Sequence, residues 1–292
     1  MPSAWTRRVT DYLYAEPRFV ARQEHRLYIN GQALGWIQPN AAAALLTLPG
    51  TPARERPQEL HLELREGDYA ARSQRLQALA EALRDRGQVP GWRGEPMVLH
   101  DASGRPWAEM ERAAFRTWGL RTHSVHLNAF VQTPAGAQMW VARRSPLKAV
   151  DPGLLDNLVG GGIIGQEGVG LTLRREAWEE AGLLLRHQPA QQSTLHVLRH
   201  CEHGVQDEIV HVHDLWIASH FSPENQDGEV ASNERLPLAE IIERVLARQF
   251  TRDAGLVILD GLCRRRFFAE ETSAITGVLR EFGIYGKGVT GV

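Results

Sequence analysis

Cysteine is scarce in this chain: 292 residues hold two, Cys201 and Cys263. They lie far apart and fit no zinc-ligand spacing, which excludes a disulfide framework and a cysteine-built zinc site. Both are expected as buried thiols of a reducing cytoplasm. An excess of charge is also missing. Lys and Arg number 33 against 35 Asp and Glu, and the net charge is −2. No general affinity for polyanions follows, so neither nucleic acid nor an acidic membrane surface is an expected partner. A phosphate-bearing ligand would have to be held by local Arg or Lys together with a metal. No apolar run reaches the ~18 residues of a membrane span. The opening stretch Met1–Val20 lacks the apolar centre of a secretory signal. These absences point to a soluble, cytoplasmic protein. No internal repeat is visible, and no Pro/Gly/Ser-rich linker divides the chain, so two halves would be tightly docked. A hydrophobic share of 43% is enough to build a core.

What is present reads as two units, residues 1–120 and 121–292. In the first, Arg26–Ile37 places Asn30-Gly31 between apolar runs, a strong hairpin signal. Asn40 is placed to cap a short helix through Ala42–Ala44. Leu60–Arg65 alternates as a strand. Tyr69–Arg86 predicts a helix with Leu76, Leu79, Ala80 and Leu83 on one side. Glu95–His100 predicts a strand. Trp107–Trp118 predicts an amphipathic helix with Trp107, Met110, Ala114 and Trp118 on one face. This is a small α+β unit with no catalytic constellation of its own, expected to cover or shape a pocket in its neighbour. In the second unit, Val125–Thr133 and Gln138–Arg144 predict strands around the turn Pro134-Ala135-Gly136. A glycine-rich loop and a helix follow, then strands Thr194–Arg199 and Glu208–Ile217. Helices are predicted over Pro237–Arg248 and Asp253–Arg264. That order suits an α/β/α sandwich around a mixed sheet.

Residues 161–183 read GGIIGQEGVGLTLRREAWEEAGL. Gly161, Glu167, Arg175, Glu176, Glu179, Glu180 and Gly182 stand in the frame G-x5-E-x7-R-E-x2-E-E-x-G. By average residue usage, chance would match those positions less than roughly once in ten million starting points. Glu176, Glu179 and Glu180 share an arc of about 100° on one helix face. Leu173, Ala177, Trp178 and Ala181 are expected on the other side, under the sheet. Like charges at this spacing repel, and a divalent cation reverses that penalty because hard cations prefer carboxylate oxygens. A solvated charged helix would explain Arg175–Gly182 alone, but not Gly161 and Glu167 in register with it. The expected metal ligands are Glu176, Glu179, Glu180 and Glu167, and the expected ion is Mg²⁺ or Mn²⁺. Gly161 and Gly162 allow close backbone approach to a metal or a phosphate, and Gly182 can end the helix in a left-handed cap. Such a site would neutralise diphosphate oxygens and lower the pKa of a bound water. A carboxylate would take the proton of that water.

This frame is identified as the signature of the Nudix family. The flanks Met139–Arg144 and Pro152–Gly162 resemble the branch that includes the Nudix part of fungal thiamine pyrophosphokinase, with an N-terminal domain of unknown function. Asp227–Val230 and Phe250–Ala254 are similar to the same branch. The resemblance implies a metal-dependent pyrophosphohydrolase acting on a small-molecule diphosphate. It implies thiamine diphosphate-like compounds in damaged oxo or oxy forms, cut to the monophosphate. Two segments depart from that branch: His211 and His213 replace aromatics before Asp214, and Ser232-Asn233 follow Glu229. The alternatives weighed are a dinucleotide pyrophosphatase for ADP-ribose or NADH, and a non-enzymatic ligand sensor of the same fold. Isopentenyl diphosphate isomerase shares the fold, but neither cysteine lies where its chemistry needs one.

Other residues divide between site and scaffold. Catalytic candidates are Glu179, Glu176, Arg175 and Glu229, the last in a late turn from which a glutamate can serve as base. Glu208 is a lesser candidate by the same argument. Arg143 and Arg144 end a strand before the glycine loop and point to opposite faces, so one of them is expected to meet phosphates, with Lys148 as a further candidate. His211 and His213 share one strand face, which suits either a transition metal or a half-exposed strand. Trp107 and Trp118 are expected in the core, whereas Trp92 or Trp140 could stack on a ring.

Overall fold

The structure, a computed structural model, describes residues 4–15, 18–282 and 284. It starts with helix α1 (Ala4–Tyr14). Val9, Tyr12 and Leu13 of that helix pack against the far end of the chain, not against the residues that follow it. Asn30 and Gly31 carry φ of 47° and 74°, the left-handed values of a two-residue hairpin. They join β1 (His25–Ile29) to β2 (Gln32–Ile37). Helix α2 (Pro39–Leu46) follows, then β3 (Ala53–Arg56) and β4 (Glu59–Leu62), giving the order β2-β1-β4-β3. Proline opens α2 at its first turn, where a missing N–H costs nothing. The cap position is therefore Gln38, and Asn40 lies inside the helix it was expected to cap.

Helix α3 (Tyr69–Arg84) starts on Asp68, whose carboxylate accepts the Ala71 N–H at 2.8 Å, and it buries Leu76, Leu79, Ala80 and Leu83. The stretch expected as one helix over Trp107–Trp118 is instead two elements. Strand β5 (Pro96–His100) pairs with β6 (Pro106–Glu111), and only Arg112–Thr117 is helical (α4). Ala108 and Met110 alternate into the core as a strand requires. Trp107 is half-buried beneath the Arg72 guanidinium, while Trp118 is fully buried. The positions 107, 110, 114 and 118 fit helical spacing, but pairing with β5 overrides it. This unit has its own core, from Leu27 to Leu120.

The second unit is built on β7 (Arg121–Thr133), β8 (Gly136–Arg144), β9 (Leu155–Asn157), β10 (Val159–Gly162), β11 (Gln191–Cys201), β12 (Gly204–Trp216) and β13 (Val230–Pro237). The sheet runs β11-β12-β7-β8-β13, with β10 on β7 and β9 on β8. β12 lies parallel to β7 and the other pairs are antiparallel, so the sheet is mixed. Helix α5 (Val169–Ala181) covers one face through Leu173, Ala177 and Ala181 against Val125, Leu127 and Ala129. Helices α6 (Leu238–Leu246), α7 (Arg252–Arg264) and α8 (Thr272–Glu281) cover the other, joined there by α1. This is the expected α/β/α sandwich. No described helix is long and apolar enough to cross a membrane. Both cysteines are free. Cys263 is buried, whereas Cys201 is only half-buried at the end of β11.

Histidines occupy the interior of β7 and β12. His123 Nδ1 lies 3.2 Å from His211 Nε2, the two rings stack, and His211 Nδ1 meets the Gln191 amide oxygen at 3.1 Å. His211 and His213 share a face as expected, but it is a buried face. Burial, and then neighbouring positive charge, lowers His123 to about 3 and His211 to about 4. Both are neutral when folded and would gain protons on unfolding. Stability is therefore complete above the free histidine value and is lost as pH falls below it. We predict that the thermal midpoint drops between pH 7 and pH 5, with His123 alone contributing about 2 kcal/mol at pH 5. Calorimetry of His123→Gln should show a flatter dependence over that window, and an unchanged slope would refute the assignment.

Candidate active site

Helix α5 begins at Gly168 and ends on Gly182, which has φ 61°. Gly182 N–H donates to Trp178 O at 2.8 Å and Leu183 N–H to Ala177 O at 2.9 Å, the left-handed cap expected of that glycine. Its buried residues are Thr172, Leu173, Glu176, Ala177, Glu180 and Ala181. Two of the three box glutamates thus share the stripe that packs on the sheet, rather than standing opposite it. Trp178, expected on that stripe, is 46% exposed. A 3.6-residue period puts positions 173, 176, 177, 180 and 181 on one side and turns 178 away.

Arg175 organises the carboxylates. Its Nη1 donates to Glu176 at 2.8 Å and to Glu179 at 2.9 Å, and its Nε and Nη2 donate to Glu167 at 3.1 and 3.0 Å. Glu167 also accepts the Thr172 hydroxyl at 2.8 Å. Glu167, expected as a metal ligand, is thus bonded to both Arg175 and Thr172. Glu180 accepts the Gly160 N–H at 2.7 Å. Burial first, then the Glu176 charge, pushes the Glu180 carboxyl well above its ordinary value. Burial likewise raises Glu176, with Arg175 opposing. A Cβ on Gly161 would land on the Glu176 carboxylate, which would have to move to admit it.

These groups open on a cavity of about 490 Å³. Glu176, Glu179, Gly161, Gly162, Arg144, Lys148, Asp156, Asp227 and Glu229 line it on the second unit's side. Arg144 is held by Asp156 at 3.0 Å and by Val150 O. The Lys148 ammonium contacts Glu229. Burial lowers the Lys148 pKa, opposed by the Glu180 charge. Arg143 stays outside the cavity, bonded to Glu234 at 2.6 Å and to Gly153 O at 3.0 Å. Glu208 is at the cavity wall, whereas His211, His213 and the tryptophans are not among its lining residues. Among the described residues, no three His, Cys, Asp or Glu side chains stand together as a ready metal cage. The donors are nonetheless of the right kind. Glu176 and Glu180 are oxygen donors, buried side by side, and burial raises the proton affinity of each. A hard divalent cation would favour their charged forms.

Sequence reasoning missed Asp156, His126 and the individual residues Arg93, Glu95, Arg112 and Arg116 by which the first unit lines the cavity. Asn157 Oδ1 lies 2.8 Å from His126 Nδ1, and Asn157 Nδ2 donates to Asn128 at 2.9 Å. The His126 ring backs Gly160, where a Cβ would lie 3.0 Å from the ring. The signal was present in the polar Asp156-Asn157 ahead of three glycines, but its partners are distant in sequence. We predict that Gly161→Ala displaces the Glu176 carboxylate and destabilises the chain by about 1–3 kcal/mol. Denaturant unfolding reads this directly, and wild-type stability in the variant would contradict the close approach.

Comparison with known proteins agrees with this architecture. Residues 122–256 match the model of the NUDIX domain, and residues 11–122 match a domain of unknown function, DUF4743. The chain is 30% identical over 206 residues to Nudix hydrolase 20, chloroplastic, of Arabidopsis thaliana, covering 68% of this chain and 55% of that protein. It is 29% identical over 214 residues to Nudix hydrolase 24, chloroplastic, of the same plant, covering 71% and 59%. The chain thus spans little more than half the length of these curated relatives. Among solved structures, it is similar to the NUDIX domain of Shewanella oneidensis NrtR, complexed with ADP ribose. That match has a TM-score of 0.42 and 16% identity, over 53% of this chain and 98% of that one. The chain carries a Nudix domain behind a DUF4743 domain and is homologous to the Arabidopsis Nudix hydrolases.

Proposed function

We propose that the chain is a metal-dependent pyrophosphohydrolase that cleaves a diphosphate linked to an organic moiety. The observation that carries this reading is the pair Glu176 and Glu179 along a cavity that also holds Arg144 and Lys148, with Glu180 buried beside them on the Gly160 N–H. Glu176, Glu179 and Glu180 would hold Mg²⁺ or Mn²⁺, which supplies charge neutralisation and a more acidic water when bound. The remaining tasks fall to the chain's own groups. Arg175 holds the carboxylates together and aligned. Arg144 and Lys148, which line the same cavity, bind phosphate oxygens. Glu179 and Glu229 are the carboxylates open enough to meet water, with side chains 36% and 43% exposed, against 11% for Glu176. One of them takes the proton of the attacking water, as general-base catalysis requires.

For the substrate we propose a thiamine diphosphate-like compound in its oxidised forms, cut to the monophosphate. The support is positional. Asp156, Asp227, Glu229, Thr251 and Asp253 come from the segments that resemble the thiamine-related branch, and all line the cavity. The segments that depart from that branch, His211 to His213 and Ser232-Asn233, do not line it.

Purified protein should release inorganic phosphate from oxidised thiamine diphosphate with Mg²⁺, and lose that activity on chelation. ADP-ribose and NADH serve as the contrast, and AMP formed from them at a higher kcat/KM would reject the substrate assignment. Replacing Glu179 or Glu180 by Gln should reduce kcat at least roughly a hundredfold, the usual scale of a lost general base or metal ligand. Full activity in both variants would exclude this site. Glu229→Gln, assayed beside Glu179→Gln, decides the base: the variant that loses the upward limb of the pH–rate profile carries it.

A further inference from the structure

The cavity has a second wall, and it belongs to the other unit. Arg93, Glu95, Arg112 and Arg116 of the first unit line the same space as the box carboxylates. Three guanidinium groups against one carboxylate leave this wall net positive. Arg112 stands against the glycine loop at Gly162. A Cβ on Gly162 would lie 3.9 Å from the Arg112 guanidinium carbon and from its Nη2. On its other side, the Gly162 carbonyl accepts from Arg175 Nη2 at 3.4 Å. Gly162 therefore stands between the arginine that gathers the box and an arginine from outside it.

This placement is set by backbone. Gly165 N–H donates to Pro96 O at 2.9 Å, joining the loop after β10 to β5, and Met97 bridges Gly165 in parallel register. Arg112 N–H donates to Glu95 O at 2.8 Å. The buried Glu111 carboxylate accepts N–H groups of Arg93 at 3.0 Å, Gly94 at 2.8 Å and Ala113 at 3.2 Å. It thereby fixes the loop carrying Arg93 against the start of α4. The Arg112 side chain is only partly used. Its Nη1 donates to Glu95 at 2.9 Å, Glu95 is shared with Arg93 at 4.0 Å, and 41% of the side chain remains exposed.

We propose that Arg112 is a substrate-binding residue of the Nudix site. Its free guanidinium edge receives a phosphate oxygen of the diphosphate beside Gly162, so the DUF4743 domain forms part of the binding site. The inference rests on the reading of the cavity as a diphosphate site. The planar fork of arginine matches two phosphate oxygens at once, which a lysine ammonium does not. Glu95 positions that fork by holding its Nη1.

Calorimetric titration of the full chain with methylenediphosphonate and Mg²⁺ tests this without turnover. Arg112→Ala should weaken binding at least roughly tenfold, the scale of a charge-assisted hydrogen bond, with an unchanged thermal midpoint. Arg112→Lys should recover part of the loss, and Glu95→Gln should weaken binding less than Arg112→Ala does. With a turned-over substrate, Arg112→Ala should raise KM more than it lowers kcat. Equal affinity in Arg112→Ala and wild type, or no binding of the probe by wild type, overturns the proposal. A loss matched by a fall in the thermal midpoint also overturns it. A wild-type chain that binds the probe through Arg112 yet leaves every organic diphosphate intact would refute the hydrolase reading alone.

Discussion

One guanidinium makes the site possible. Arg175 bonds Glu167, Glu176 and Glu179, while Glu180 is held separately by a backbone N–H of the glycine loop. Without that cation, carboxylates crowded into one helical turn and partly withdrawn from water would repel one another and swing apart. Glu176 comes to rest where a Cβ on Gly161 would lie, and Glu180 is met by the Gly160 N–H. Even so, burial raises the proton affinity of Glu176 and Glu180. A bound cation would favour their charged forms.

The site is also a product of two units. The second unit supplies the carboxylates from α5, with Arg144 from the end of β8 and Lys148 from the loop after it, and the first unit supplies an arginine-rich wall of the same cavity. The tie between them is a backbone bridge at Pro96 to Gly165, beside the glycine loop. Helix α1 joins the two in a different way. It belongs to the amino-terminal part of the sequence but packs with α6, α7 and α8 on the far face of the second sheet. The chain therefore encloses its second unit from both ends.

Much of this was legible in the residue order. Hairpin Asn30-Gly31, the α3 stripe and the left-handed cap at Gly182 follow from local rules that act within a few residues, and all are present. The failures share a cause as well. Trp107–Trp118 has helical spacing, but β6 gains a partner strand in β5, which no local window registers. Trp178 was placed on the packing side because the three glutamates were put together on the opposite face. Tertiary contact with the glycine loop draws Glu176 and Glu180 inward instead, and the helix turns accordingly. Arg143 and Arg144 could not be separated by alternation alone. The neighbouring strand separates them, with Glu234 on β13 taking Arg143 and Asp156 after the β8 loop taking Arg144.

The sequence by itself determined the kind of chemistry, because a fixed spacing of four carboxylates, one arginine and paired glycines is a local pattern that helix geometry converts directly into a cluster. It also determined that no bulk charge or apolar run would bind the ligand. Only the tertiary structure decided which charges share the cavity. Asp156, Asp227, Arg93 and Arg112 are far apart along the chain, and strand pairing and unit docking bring them together through contacts that no sequence period encodes.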